Sequence, residues 1–322
     1  MSVVPPTRSA SPLRLSVIIP ATDQPATLAA CRAAIAASTV APHEVIVVDT
    51  PARLPPAAAR NLGAQRASGD VFAFVDADVV VEAHALERIG RAFAVDPDLD
   101  AVFGAYDDQP AHGSHVSSFR NLLHHHNHHR AEGPAETFWT GLGAVRRERF
   151  DQLGGFDEQR YRWPSIEDIE FGVRLCHAGG TIRLDPTIQG KHLKRWTLRS
   201  MVVTDFRHRG VPWVALQVRQ RRVSSALNLD ARNKLSAVLT AVAALAVLVR
   251  RPRVALAAVV ALAVVNRRLY ALAAQRHGWR GAATGLGLHA VHHLTAIASV
   301  PVGVGAAIVA GDHRRSDLRS AA

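Results

Sequence analysis

A chain of 322 residues is too long for one ordinary compact core and long enough for two units. Its formal net charge of +11 comes mostly from arginine, but no segment interleaves basic and aromatic residues as a nucleic-acid reading surface does, so no nucleic acid is expected as a partner. Beside roughly the last 90 residues, dominated by Ala, Val and Leu, arginine clusters suit anionic phospholipid instead.

Residues 1–13 are rich in Pro and Ser and predict a disordered leader. Leu15–Pro20 is a short strand closed by a proline that cannot continue a ladder. A helix follows from Pro25 with Leu28, Cys31 and Ile35 as its inward stripe, and Glu44–Asp49 is a second strand ending in an acid. Strand, helix, strand with apolar runs is a βαβ unit, whose ligands gather at the carboxyl ends of the strands. The two cysteines, Cys31 and Cys176, fall in helix-like segments, which implies no disulfide framework and a reducing compartment.

Pro51–Pro56 leads into an Ala-rich helix carrying Arg60, a guanidinium that can clamp phosphate or simply stand in solvent. In Asp70–Val81 an apolar run enters Asp76 and Asp78 and resumes beyond them, reading as one strand buried on both faces. On extended backbone those two acids point the same way, and paired carboxylates repel unless a cation sits between them. Mg²⁺ or Mn²⁺ with substrate phosphates suits the place. The alternative is that one acid caps a helix from Glu82 and the other is solvated. Asp49 and the Asp76/Asp78 pair meet in one crevice at the strand ends.

The helix of Phe119–Arg130 holds five histidines, which a consecutive run spreads around its circumference; a polar helix near an acceptor is expected rather than a metal centre. Phe138–Ala144 predicts a strand with glycines, Gly141 and Gly143, where a ligand or backbone approaches closely. Gly154–Asp157 is a turn. Ser165 with Asp168 fits a capping box at the start of a helix whose buried side carries Ile169, Val173 and Cys176, and Glu167 and Asp168 cannot both serve the cap.

Together these pieces resemble the family 2 glycosyltransferases of the GT-A fold: Ser16–Pro20, Val47–Asp49, Ala59–Gly63, Phe74–Asp78, Gly154–Asp157 and Glu167–Asp168, in that order and spacing. The resemblance covers 13–222 and is nearest to membrane-attached bacterial members, in which a segment like Lys191–Trp196 precedes apolar helices. It implies an α/β, Rossmann-like nucleotide-diphospho-sugar transferase domain over 14–222, followed by membrane-associated helices over 223–322. Asp49 would hold the base of a nucleotide-sugar with Pro20, Ala21 and Thr22 lining the pocket, and Arg60 and Asp76 would lie beside the nucleotide. Asp78 would be the principal ligand of Mg²⁺ or Mn²⁺, with Asp76 and His192 completing the metal site. Asp168 would be the general base, supported by Glu167, and Trp139, Gly141, Gly143 and Trp163 would form the acceptor region. A cation for the leaving diphosphate and a carboxylate for the attacking hydroxyl are what such a transfer needs, and a single base with in-line attack implies inversion.

Two departures stand out. Thr50-Pro51 replaces the family's second acid and Gly-Ser turn, and only a short stretch separates Asp49 from Ala59, which truncates the base pocket and leaves the donor open. Gln217–Arg222 lacks the Trp of the processive synthases' motif, so transfer of one sugar is expected.

Three apolar segments end the chain: 235–249, 254–274 and 282–310. Against the roughly 20 residues a span requires, the first is short and the third ample. The expected arrangement has the first at the interface and the other two crossing, which returns His313-Arg314-Arg315 to the cytoplasm with the catalytic domain; three crossings are the alternative. The chain thus reads as a metal-dependent, inverting glycosyltransferase at the cytoplasmic membrane, with a nucleotide-sugar donor and a lipid or lipid-linked acceptor. A catalytically decayed scaffold and a sugar nucleotidyltransferase are the rivals.

Overall fold

The structure, a computed structural model, describes residues 13–221 and 230–320. The expected leader therefore falls almost wholly outside the described residues.

An eight-stranded mixed sheet is built from β1 (Leu15–Pro20), β2 (Glu44–Val48), β3 (Val71–Val75), β4 (Val79–Val81), β5 (Ala101–Tyr106), β6 (Gly133–Pro134), β7 (Leu142–Arg146) and β8 (Ile182–His192). Its order is β2-β1-β3-β7-β5-β8-β4, with β6 on β8. β1 pairs parallel with both β2 and β3, as the βαβ reading requires, and β7 runs antiparallel to β3 and β5. One sheet face packs Val17, Ile19, Val71 and Val75 against α1 (Leu28–Ala36) and α3 (Ala85–Val95). The other packs a phenylalanine cluster of Phe72, Phe74, Phe103, Phe138, Phe150, Phe156 and Phe171 against α2 (Pro56–Arg66), α5 (Arg147–Gln152) and α6 (Glu167–His177).

The run expected as one strand, Asp70–Val81, is two. Residues 76–78 turn between β3 and β4, which lie at different places in the sheet. Four Cα steps reach at most about 14 Å, whereas four strand spacings across a flat sheet are roughly 19 Å. The sheet must therefore curl, and β8 does the curling. Its pairing with β5 breaks after Phe103↔Leu184 and resumes, after a register shift, at Ala105↔Gln189, and Gly190–His192 pair with β4 on the other side. Gly104 permits that shift, because a Cβ there would stand 1.9 Å from the Ile188 carbonyl oxygen. The curl brings the turn of Asp76 and Asp78 beside His192, which is opposite Val79 in register.

α4 (His115–Arg130), the histidine-bearing helix expected to be a polar helix near an acceptor, is largely buried. Burial pushes His126 and His128 down to about 4, so both are uncharged near neutrality. After β8 come α7 (Leu198–Val203), a π-helical stretch Thr204–Gly210, and α8 (Val211–Gln220).

The apolar segments form α9 (Ala231–Leu248), α10 (Pro252–Val265) and α11 (Arg267–Ser320). α9 begins earlier than its apolar run, with Asp230 accepting a cap hydrogen bond from Asn233, and reaches 18 residues; α10 has 14 and ends at buried Asn266, which donates to Ser236. The expected division between these two is thus reversed, since by length α9 can span and α10 falls short. Two helical stretches, Ala231–Leu248 and Arg267–Val309, are long and apolar enough to cross a membrane by length and composition. α11 is not straight. His277 and Gly278 leave helical geometry, Gly278 with φ 63°. Tyr270 Oη then meets His289 Nδ1 at 2.8 Å, although the residues are 19 apart. That interval covers about 28 Å of straight helix. α11 is therefore a hairpin, with a short arm before Gly278 and a long arm after it.

Candidate active site

Arg60 lies on the inward face of α2 and is 5% exposed, so the solvated alternative does not hold. Its guanidinium donates from Nη2 to Asp76 Oδ1 at 2.7 Å and from Nη1 to Glu167 Oε1 at 2.8 Å. Glu167 is equally buried, and its Oε2 accepts the Ser165 backbone amide at 3.0 Å. One cation thus ties the turn after β3 to the start of α6. The expected capping box is absent: α6 has Ile166 at its N-cap with no side-chain cap, and the Ser165 hydroxyl donates to the His208 carbonyl instead.

Asp168, freed from capping, accepts from the Thr140 backbone amide and hydroxyl, both at 3.2 Å, and from the Ile169 amide at 2.8 Å. Burial, with the Glu167 charge adjacent, pushes its carboxyl up to about 6 despite Arg60 and these donors. A carboxylate poised there can take a proton near neutrality.

Asp76 and Asp78 share a turn rather than one strand face. The Asp76 carbonyl accepts the Val79 amide at 2.9 Å, and Asp78 Oδ2 lies 3.4 Å from His192 Nε2. Neither caps α3, which starts at Ala85 after His84 without a side-chain cap. Burial would raise the Asp78 carboxyl, but the His192 hydrogen bond and charge and the Lys194 charge outweigh it and hold it below the ordinary value. Both carboxylates remain partly open, at 31% and 28% of side-chain area. Behind them the Cys31 thiol donates to the Asp76 carbonyl oxygen at 3.7 Å, and burial with the two aspartate charges pushes it up to about 12. It is an inert thiol, which leaves the oxygen donors to face a cation.

Among the described residues no group of three or more His, Cys, Asp or Glu side chains is placed to hold a metal ion by itself. Mg²⁺ and Mn²⁺ bound with a diphosphate need only one or two carboxylates from the protein, and an open Asp76/Asp78 pair fits that demand. His192 is held in place by Tyr106, whose ring stacks on it at 4.2 Å with a 7° interplanar angle.

Around the opening, Pro20, Ala21 and Thr22 leave β1 beside the end of β2. The Thr22 hydroxyl donates to the Leu54 carbonyl at 2.8 Å and its carbonyl accepts the Arg53 amide, which pins the loop after Asp49 to the loop after β1. Thr50-Pro51 in that loop is cis. Asp49 itself is exposed. Trp139 lies over Gly141, where a Cβ would sit 2.3 Å from the indole, and its carbonyl closes on Gly143; both glycines are buried beneath it. These residues belong to a loop and to the start of β7, not to a strand over 138–144. Trp163 stands 72% exposed in the segment before α6. Sequence reasoning passed over Thr140 and Tyr106. Tyr106 is the last residue of β5, at the kind of strand end that singled out Asp49 and Asp76.

The description "Glycosyl transferase family 2" matches residues 50–154, which hold Arg60, Asp76, Asp78, Trp139 and both glycines. A second, "N-terminal domain of galactosyltransferase", matches 120–195 and takes in Glu167, Asp168 and His192. These two matches make the chain a glycosyltransferase, similar to family 2 over residues 50–154. No curated protein matches the chain in sequence. Among solved structures, the mannosyltransferase PcManGT from Pyrobaculum calidifontis, in complex with GDP-Man and Mn²⁺, is 17% identical, with 89% of this chain and 88% of that chain covered at a TM-score of 0.54. GalNAc-T7 with UDP, GalNAc and Mn²⁺ is 15% identical over 67% of this chain and 52% of that chain, at a TM-score of 0.44. The first likeness gives the α/β domain a GT-A-like fold, which the long apolar helices follow.

Proposed function

We propose that this glycosyltransferase moves one sugar, with inversion, from a nucleotide-sugar to a lipid or lipid-linked acceptor at the cytoplasmic face of a membrane. The observation that carries the reading is Arg60, which joins Asp76 on the donor side to Glu167 beside Asp168 on the acceptor side. Pro20, Ala21, Thr22 and Asp49 bound the base pocket, and their pinned loops give it a floor without the helix and strand that other members insert. Asp78, Asp76 and His192 would hold Mg²⁺ or Mn²⁺, which supplies charge to the departing diphosphate. Asp168, aligned by Thr140, takes the proton of the attacking hydroxyl, with the adjacent Glu167 charge raising its affinity for that proton and Arg60 partly offsetting it. Trp139 and Trp163 flank the acceptor's approach, with Gly141 and Gly143 seating the indole of Trp139. The PcManGT complex with GDP-Man and Mn²⁺ supports the donor and metal classes. The apolar helices support a membrane partner.

Release of nucleoside diphosphate from a panel of nucleotide-sugars, in membranes with Mn²⁺ or Mg²⁺, tests this. Wild type is run beside Asp78→Ala and Asp168→Asn. Consumption of one donor that both variants abolish is the expected result. Absence of any metal-dependent release that the variants remove would overturn it in favour of a decayed scaffold.

A further inference from the structure

The long arm of α11 does not stand away from the α/β domain as a membrane anchor would. It runs beneath it. Thr284 Oγ1 lies 3.1 Å from His115 Nδ1 on α4, the His289 ring is 5.9 Å from that of Phe119, and His292 Nδ1 reaches Asp205 Oδ2 at 2.7 Å. Farther on, Ser299 fills the space beside Gly210, and Gly303 lies against Val214 of α8. From Thr284 to Gly303 is about 28 Å of helix, close to the roughly 30 Å of a bilayer's hydrocarbon core. The elements it touches are part of the domain body. His128 of α4 bonds the Gly104 carbonyl of β5, and Leu216 of α8 packs with Tyr161 and Ile166.

If the long arm crossed a membrane, it would draw these elements, with the buried Arg120–Asp205 pair, down to hydrocarbon depth, where lipid offers polar groups no partners. The arm's own pattern gives it an outward face suited to lipid. Its polar residues His289, His293, Thr295 and Ser299 are buried against protein, while Leu294, Ile297, Val300, Val302 and Ile308 face outward. That is the reverse of a water-facing helix. Trp279 and Arg280 at its start are exposed, as are Arg250, Arg251 and Arg253 at the turn between α9 and α10. Exposed apolar side chains edged by an indole and arginines match the interface of an anionic bilayer.

We propose that the long arm of α11 lies in the plane of an anionic phospholipid surface, as a strap under the catalytic domain, and does not cross the bilayer. The proposal rests on the membrane reading above and refines it: the domain is held at fixed height over the lipid, its crevice open to acceptors in the surface.

The test uses the full chain bound to vesicles of zwitterionic and anionic phospholipid. Single cysteines are placed by Leu294→Cys, Val302→Cys and Ile308→Cys, each carrying a fluorophore, with labelled wild type giving the background from Cys176. Lipids with quenchers at graded depths then report the depth of each site. An in-plane arm gives one shallow depth for all three and several-fold weaker vesicle binding when the anionic lipid is omitted. A crossing arm gives depths that differ by up to about 21 Å between Leu294 and Ile308, which overturns the proposal while leaving the membrane reading intact. Absence of quenching at every site, with no flotation on vesicles, overturns the membrane reading itself. Concentration-dependent self-association that covers the same cysteines would assign the face to a second copy of the chain instead.

Discussion

Arg60 and Glu167 form an ion pair of 2.8 Å in which both side chains are only 6% exposed. The second nitrogen of the same guanidinium holds Asp76 at 2.7 Å. Burial opposes the charge on Arg60, but Asp76, Glu167 and Asp168 together outweigh it and raise its pKa, so it stays charged under all working conditions. Removing one partner of a buried pair strands the other. Arg60→Ala is expected to lower stability by about 3–5 kcal/mol, read as a fall in the urea midpoint. Arg60→Lys restores the charge without the fork that serves two carboxylates. It should therefore recover much of the stability but little of the turnover. Equal recovery of both would show that Arg60 acts through charge alone.

Asp168 gives a pH signature with a definite sign. Its carboxyl titrates at about 6 in the folded protein, above the ordinary 3.8, because burial and Glu167 disfavour the anion. Below the ordinary value both folded and unfolded chains hold the proton, so Asp168 contributes no difference. Between the two values the folded chain keeps a proton that the unfolded chain has released, and stability falls as pH rises. The loss is complete above about 6. Asp168→Asn should therefore gain in urea midpoint over wild type between about pH 4 and pH 7, with no further gain beyond. With Asp168 as the proposed base, kcat/KM of the wild type should climb over the same interval as its carboxyl loses the proton, and the variant should show no such climb.

Much of this site was legible because its residues close apolar runs. Asp49 and Asp76 stand at the ends of β2 and β3, where topology sends ligands, and no tertiary knowledge is required to find them. The Asp76/Asp78 pair was found for a reason that does not hold: strand alternation was to align them, whereas a turn between β3 and β4 does. Nothing local in the sequence shows that β4 pairs with the end of β8, since that register depends on a curl permitted at Gly104. Arg60 reads as a surface charge in an Ala-rich helix; only the distant Glu167 makes it a buried one. Tyr106 stacks on His192 and Thr140 donates to Asp168, contacts between distant segments that leave no local motif. In the C-terminal region composition located the apolar stretches but not the helix lengths, and the fold-back at Gly278 is set by contacts such as Tyr270 with His289, far apart in the chain.

Asp76 and Asp78 offer few ligands on their own, so metal and nucleotide should bind together. Mn²⁺ alone is expected to raise the melting temperature little, and Mn²⁺ with a nucleoside diphosphate considerably more, because a bound ligand stabilises by the logarithm of its saturation. A chelator should reverse the joint shift. Asp78→Ala should abolish it, while Cys31, inert behind the pair, should not react with thiol reagents in either state. A full shift from Mn²⁺ without nucleotide would mean that the protein supplies a complete metal cage. His192→Ala should weaken the joint shift, and Tyr106→Phe, which keeps the stacked ring, should leave it unchanged.

The buried charges under the domain make a last prediction. Asp205 accepts from Arg120 at 3.0 Å and from His292 at 2.7 Å, with Arg120 itself lying 4.9 Å over the Trp196 ring. Burial would raise the Asp205 carboxyl, but Arg120 and His292 overcome it and hold it well below the ordinary carboxylate range. A depressed carboxyl contributes its stability above its unfolded value and loses it as pH falls toward the folded one. Wild type should therefore lose stability steeply on acidification below the ordinary carboxylate range, and Asp205→Asn should lose less over that interval. At neutral pH the variant leaves Arg120 buried beside a neutral amide, at a cost of about 3–5 kcal/mol. His292→Ala removes the partner on the strap while the Arg120–Asp205 pair stays, so it should cost less. Its effect should appear instead as faster amide exchange along the long arm of α11. If exchange there is unaltered while global stability drops, the strap is held by its apolar contacts and not by this pair.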